Sequence, residues 1–585
     1  MPCGGVEVQV CARDAEMKER SGIWRMAGVA DRRIFWMAAI FAAVLAMYWP
    51  CGRFSFVRLD DQDYVYQNAH IRDGLTQECA RWAFSDVGYA SNWHPLTWLS
   101  HAMDVSVARR LGLEIDLAEG GRATWTAEHG ALAHVMHLHN AALHAANAAL
   151  MALLVATICG KIGAFGALAV LAWAVHPLRC EAVCWVSERK ELLAAFFMLA
   201  AFILFLRKGA AAYAASLACY VLALLSKPVA VSLPVALLAY GWGVRREPFE
   251  RAALRAAPFA ALAFGVCLLT LCAQTEAREV GDTVMGWGMR VVSAVEAPMI
   301  YIRQTVWPAG LCILYATRKA IDWPYFIGGL LLLAAMGWGV ARWFVRRDRL
   351  GGLAVFAVAW CYAGLVPMLG LVKVGGQPHS DRYTYWVGCG AATVAAILWT
   401  WCAERGAGEN ARRVALGALM LATVAWGLAG AKRMEVWRDS LSLYADAVEK
   451  TSDEDSAMIL ADEMCRRGTD GIRASIAMLR DVLAARRTPK ARGGLSLFMA
   501  MHCRTIGGHS ADEARMFAQR AIEEDETCCE AHAALGFADM AEGKLASAAK
   551  HMRAAFSYGY VNSRIEPQIG TWEKANREDL REATP

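Results

Sequence analysis

Eleven stretches of this sequence are apolar over lengths that can enter or cross a bilayer: 34–50, 131–158, 162–175, 192–206, 211–225, 229–243, 256–273, 325–341, 351–372, 384–402 and 414–430. Hydrocarbon offers no water to backbone N–H and C=O groups, so each stretch is read as a helix that closes its own hydrogen bonds. The fold class expected is all-α, a polytopic bundle of about eleven spans. Composition agrees. Of 585 residues 57% are hydrophobic, 22 are Trp and only 20% are charged, fewer charges than the roughly one quarter of a soluble domain.

A twelfth stretch, 289–306, carries Arg290, Glu296 and Arg303. Each such charge costs roughly 2.5–3.5 kcal/mol at mid-bilayer on insertion scales, so this stretch is expected to lie at the interface.

Orientation follows from charge. Arg25, Arg32 and Arg33 precede the first stretch and no small-residue cleavage site follows it, the pattern of an uncleaved signal anchor with a cytoplasmic tail. Eleven spans from that start put Arg245-Arg246, Arg346-Arg347 and Arg412-Arg413 inside, as the positive-inside rule requires. The expected organisation is a tail at 1–33, a transmembrane domain at 34–430 with a large first external loop at 51–130, and an external domain at 431–585. A net charge of +5, with neither a cationic run nor zinc-type Cys/His spacing, gives nucleic acid no footing. Of 18 scattered Cys, residues Cys51, Cys79, Cys180, Cys184, Cys528 and Cys529 come out on the oxidising side; the sequence does not pair them.

The same topology gathers the polar chemistry on the external face. Asp60-Asp61, the 176–191 loop, Lys227 and the 373–383 loop all fall there. A transporter more often sets its charges near the midplane, along a path. Adjacent carboxylates at the membrane surface suit a base acting on an acceptor hydroxyl. Arg189, Lys190, Lys227 and Arg382 can grip a phosphate, arginine through its fork and lysine as a point charge. In Asn92-Trp93-His94-Pro95-Leu96-Thr97-Trp98, Trp98 reads as an interfacial anchor, and His94 and Asp104 are candidates to face the site.

His137, Asn140, His144 and Asn147 follow helical spacing and form one polar stripe in an Ala/Leu stretch. Lipid cannot satisfy these groups. Asn147 and His144 are expected to bond neighbouring helices, whereas His137, nearest the external end, is the candidate to reach a substrate.

Beyond 431 the chain turns soluble and Ala-rich. Ala514 and Ala521 stand 34 residues before Ala548 and Ala555, with Gly536 and Gly543 at further small positions. Ala477, Ala484 and Pro489 fit the same template in altered register. Small residues recurring at about 34 suggest tetratricopeptide-type helix pairs, a short solenoid.

Taken in order, Asp60-Asp61…Tyr64-Val65…Asn68, Gly74-Leu75-Thr76, Asn92-Trp93-His94-Pro95-Leu96-Thr97-Trp98, His137…Asn140…His144, His176-Pro177…Glu181…Trp185…Glu188-Arg189-Lys190, Leu225-Ser226-Lys227-Pro228 and Asp381-Arg382-Tyr383 resemble the transmembrane and tetratricopeptide-repeat O-mannosyltransferases, in a bacterial-type form. One departure is Met136, where the family usually has the first His of a pair.

The resemblance implies a C-type glycosyltransferase fold and an inverting transfer of a sugar, mannose in the family's usual case, from a polyprenyl phosphate to a hydroxyl of an external protein or glycan. Asp60 or Asp61 would be the base. Arg189, Lys190, Lys227 and Arg382 would hold the donor phosphate, and His94, His137, Glu181, Asp381 and Tyr383 would face acceptor or sugar. No cofactor is required, although an Asp pair leaves a divalent metal open. The repeats would present the acceptor, and the location expected is a bacterial inner membrane. The rival expectation is a non-catalytic membrane-anchored scaffold that recruits partners through its repeats.

Overall fold

The computed structural model describes residues 33–113, 130–273, 286–315, 320–369, 379–406, 408–506, 510–560 and 565–572. The tail at 1–32 with Arg25 and Arg32, part of the first loop (114–129) and the start of the 373–383 loop lie outside the described residues. Among the described residues every regular element is helical and there is no strand. The chain divides into two compact units, Met1–Leu311 with Thr317–Arg438, and Cys312–Ala316 with Asp439–Pro585. The second unit thus begins beyond the expected boundary at 430, because one helix, Glu409–Met434, runs through that point.

In the first unit each of the eleven apolar stretches contributes to a helix. Among the described residues seven helices are long and apolar enough to cross a membrane: Arg33–Arg53, Ala131–Ile158, Phe249–Thr270, Trp323–Arg346, Arg349–Met368, Asp381–Glu404 and Glu409–Trp437. Ala164–Val175 and Pro177–Cys184, bent by 56°, make an eighth if they count as one span. The break falls where His176 caps the next turn through Leu178 N (3.2 Å) and Pro177 removes a donor. The other three stretches lie in shorter helices, Arg189–Phe205, Ala210–Ser226 and Pro228–Val244.

The helix Trp287–Val306 buries Arg290 and Glu296 within the protein, and Glu296 Oε1 accepts from Asp322 N at 2.8 Å. Two of the three charges that argued against a lipid-facing span are thereby kept from lipid, while Arg303 remains exposed near the end of the helix. Two helices meet closely at Gly243 and Gly352: a Cβ on Gly352 would sit 2.1 Å from Gly243 O, so neither position has room for a side chain.

The first loop is a folded cap. Thr76 accepts from Cys79 N (3.1 Å) and starts the helix Gln77–Ser85; Pro95 opens the helix Pro95–Arg110. Tyr64, Val65, Trp98, Ala102 and Val105 form one apolar core with Met136 and Val186. Trp98 is fully buried with its ring 4.4 Å from that of Tyr64, which corrects its expected role as an interfacial anchor.

In the second unit, among the described residues, seven helices follow in sequence: Ser440–Thr451, Glu454–Cys465, Thr469–Arg486, Pro489–Ile506, Ser510–Glu524, Cys529–Ala541 and Leu545–Ser557. Asp439 and Asp453 cap the first two, accepting from Ser442 N (2.7 Å) and Ser456 N (2.8 Å). Ala514, Ala521, Ala548 and Ala555 all lie in the core, and Gly536 leaves room only for Met552. Ala477 and Ala484 do not follow them. Both are exposed, while Ser475, Leu479 and Val482 face inward. Ser475 Oγ donates to Ala461 O (3.0 Å), so Ser475 rather than Ala477 faces the preceding helix.

Candidate functional site

The adjacent carboxylates take opposite environments. Asp61 closes the turn that begins at Val57: its Oδ2 accepts from Val57 N (3.0 Å), and its Oδ1 accepts from Ser187 N (2.9 Å) and from Ser187 Oγ. It is fully buried. Burial pushes its carboxyl up to about 6, against the hydrogen bonds from Ser187 and Val57 that favour the charged form. One of its oxygens closes the 57–61 turn and the other ties that turn to the segment around 187. Asp60 instead has a side chain 42% exposed, with Oδ2 at 3.6 Å from Lys190 Nζ. Of the pair, Asp60 is the one an incoming group can reach.

Lys190 belongs to a cluster organised by Glu188. Glu188 Oε1 lies 3.2 Å from Lys190 Nζ and 3.4 Å from Arg382 Nε, and its Oε2 lies 2.9 Å from Lys227 Nζ. Burial alone would raise the Glu188 carboxyl; Lys190, Lys227 and Arg382 outweigh it and hold the group well below the usual carboxylate range. Lys227 also meets Glu191 Oε2 at 2.9 Å. Arg382 pairs with Glu181 Oε1, whose Oε2 accepts from Asp381 N at 3.1 Å. The ring of Trp185 lies under both Lys190 (5.5 Å) and Arg382 (5.3 Å), and the Tyr64 ring lies 4.3 Å from Lys190 Nζ. Four segments far apart in sequence, near 60, 181–191, 227 and 381–383, thus meet at one place.

Other expected site residues lie elsewhere. Arg189 is fully buried and points away from its neighbour Lys190. Its Nε donates to Asn140 Oδ1 (2.8 Å), its Nη2 to Met136 O (2.8 Å), and its Nη1 pairs with Asp104. His139 Nδ1–H donates to the same Asp104 carboxylate at 2.7 Å. Burial would raise Asp104, but Arg189 and His139 hold it below its ordinary value. This corrects Arg189 from a phosphate ligand to a residue whose buried guanidinium is already bonded, about 100° around the helix from Lys190.

His137 is likewise sealed: fully buried, it donates from Nε2 to Ser55 O (3.1 Å) and packs edge-on against Phe54. His94 is buried at the start of the Pro95–Arg110 helix. Burial first, then the charges of Lys190 and Lys227, hold its imidazole well below the usual range and neutral. Tyr383 is buried with its ring 5.0 Å from the Arg382 guanidinium.

Beside this cluster in chain terms lies an apolar cavity of about 550 Å³. Trp173, Tyr301, Met336, Leu365, Val387 and Trp426 form much of its wall. Arg179 and Thr384 reach the same wall, two residues from Glu181 and Arg382, and are joined by an Arg179 Nη1 bond to Thr384 O (2.9 Å). Among the described residues no three His, Cys, Asp or Glu side chains are grouped to hold a metal ion.

Glu188, Glu191 and Ser187 carry no role in the sequence reading. The alternation Glu188-Arg189-Lys190-Glu191 at the mouth of an apolar helix is the signal that marks them: buried charges of both signs require partners. No protein-family model matches the chain, and no curated protein matches it.

Proposed function

We propose that the chain is a membrane glycosyltransferase that moves one sugar, mannose by the resemblance, from a polyprenyl-phosphate donor to a hydroxyl of an external protein or glycan. The observation that carries this reading is the half-exposed Asp60 carboxylate 3.6 Å from Lys190, at the edge of a cluster that also holds Lys227 and Arg382. Asp60 removes the acceptor proton, the acceptor oxygen attacks the anomeric carbon from the face opposite the phosphate, and the carbon–oxygen bond to phosphate breaks with inversion. The polyprenyl phosphate that leaves needs charge stabilisation rather than a strong acid, which Lys190, Lys227 and Arg382 supply. The 550 Å³ apolar cavity between helices suits the first isoprene units of the donor. Asp61 and Arg189 hold the frame and touch no substrate. His94, Glu181, Asp381 and Tyr383 border the cluster on its acceptor or sugar side.

The same proposal includes about eleven spans in a C-type glycosyltransferase fold, the site on the external face of a bacterial inner membrane, and a tetratricopeptide-type second unit that presents the acceptor. The core positions of Ala514, Ala521, Ala548 and Ala555 support the repeat reading.

One observation favours the rival scaffold reading. Three cations, Lys190, Lys227 and Arg382, already face four carboxylates, Asp60, Glu181, Glu188 and Glu191, so each cation has a partner, with one carboxylate in excess, before any ligand arrives. The two readings separate on one experiment. The purified full-length chain in lipid vesicles is given labelled polyprenyl-phosphate mannose and a mixture of external proteins. Label appearing in protein supports the transferase; label remaining wholly in lipid supports the scaffold.

A further inference from the structure

Three groups stood out beyond the proposed site: the buried His101 with neither ring nitrogen bonded, the exposed apolar face of Trp323–Arg346, and two cysteines in contact across the first unit. The cysteines carry an inference furthest. Cys51 Sγ and Cys184 Sγ lie 3.4 Å apart, 133 residues apart in sequence, and both are fully buried. The third cysteine nearby, Cys180, is engaged otherwise, its Sγ donating to Gly430 O at 3.3 Å.

We infer that Cys51 and Cys184 are joined by a disulfide in the mature protein. A disulfide sets its sulfurs about 2 Å apart, so closure asks for a shift of little more than an ångström. The positions explain what the bond does. Cys51 lies in the turn Trp49–Arg53 at the end of the first span, nine residues before Asp60; Cys184 ends the helix Cys180–Cys184, four residues before Glu188. The bond fastens the root of the loop bearing Asp60 to the segment bearing Glu188 and Lys190, beside the noncovalent tie between Asp61 and Ser187.

The oxidant is an oxidised dithiol carrier of the external compartment. One cysteine thiolate attacks the carrier disulfide, forming a mixed disulfide and expelling one carrier thiolate. The second cysteine thiolate then displaces the other carrier sulfur, leaving the protein disulfide and a carrier reduced by two electrons and holding the two protons. With both sulfurs buried in the folded unit, this exchange belongs to folding, before the segments close, and the finished bond is shielded from small reductants.

The inference rests on the proposed external placement of the loop. The test uses the full-length chain taken from its own membrane. Free thiols are alkylated under denaturing conditions without reductant, the protein is digested, and peptides are read by mass spectrometry. In parallel, a cysteine introduced at exposed Gly88 is probed in intact cells with a membrane-impermeant maleimide. The expected result is a peptide containing Cys51 linked to one containing Cys184, lost on reduction, with Gly88→Cys labelled from outside. Gly88→Cys labelled from outside with Cys51 and Cys184 both alkylated overturns the disulfide and leaves the proposed function standing. Gly88→Cys shielded from the reagent, with both thiols free, overturns the disulfide and the orientation together. Cys51→Ser and Cys184→Ser give a second readout: each lowers the unfolding midpoint, and the double variant falls no further than the larger single loss. Additive losses contradict the bond.

Discussion

Lys190 Nζ stands between two carboxylates, 3.6 Å from Asp60 Oδ2 on its open side and 3.2 Å from Glu188 Oε1 on its buried side. One ammonium therefore joins the only half-exposed acid of the Asp pair to the hub that holds Lys227 and Arg382. A group arriving at Asp60 meets the cations at the same step.

Asp61 sets the pH dependence of stability. Its carboxyl titrates at 3.8 when unfolded and at about 6 when folded. The folded value is raised, so its contribution is fully present below 3.8 and is lost as pH rises through about 6. Thermal midpoints of wild type and Asp61→Asn measured between pH 4 and 7 should show the advantage of the wild type shrinking across that window. Asp61→Asn also replaces one acceptor oxygen by a donor facing an N–H, a loss of about 1–3 kcal/mol. A pH-independent difference between the two proteins contradicts the assignment.

Glu188→Gln removes the one buried carboxylate that Lys190, Lys227 and Arg382 share. Removing one partner of a buried pair costs roughly 3–5 kcal/mol, so denaturant unfolding should move to clearly lower concentration. An unchanged midpoint means that solvent already screens the cluster.

Neighbouring cations should behave differently. Arg189→Lys loses the fork that bonds Asn140, Met136 and Asp104 and is expected to lower the unfolding midpoint while leaving the KM for donor within about twofold. Lys190→Gln is expected to raise that KM by about 10- to 100-fold, since charge-assisted bonds to phosphate contribute roughly 1.5–3 kcal/mol each. The reverse pattern would return Arg189 to the site.

Much of this arrangement is legible in the sequence, and the rest fails for identifiable reasons. The polar stripe is the clearest success. His144 Nε2–H donates to Ala174 O (2.9 Å), and Asn147 Nδ2 bonds Leu192 O and Tyr385 Oη at 3.0 Å each, as an intramembrane stripe must. His137, on the same stripe and nearest its external end, is the candidate to reach a substrate by position alone; the folded first loop covers it through Ser55, and loop packing has no periodicity to read. The meeting of Asp60, Lys190, Lys227 and Arg382 follows the sidedness argument, but Glu188 as their common partner is a tertiary fact. Span number suffers from length: Arg189–Phe205 and Ala210–Ser226 are apolar yet have 17 residues each, below what a perpendicular crossing needs. In the second unit, Ala477 and Ala484 fit the repeat template in altered register, but they are exposed and Ser475, Leu479 and Val482 take the buried positions of that helix.

The central claim, that Asp60 is the base beside a donor-phosphate site, is tested most directly by Asp60→Asn in membranes supplied with labelled polyprenyl-phosphate sugar. Transfer to acceptor should fall by about 10²–10⁴-fold, while expression and donor binding stay at the wild-type level. Transfer at the wild-type rate would contradict it.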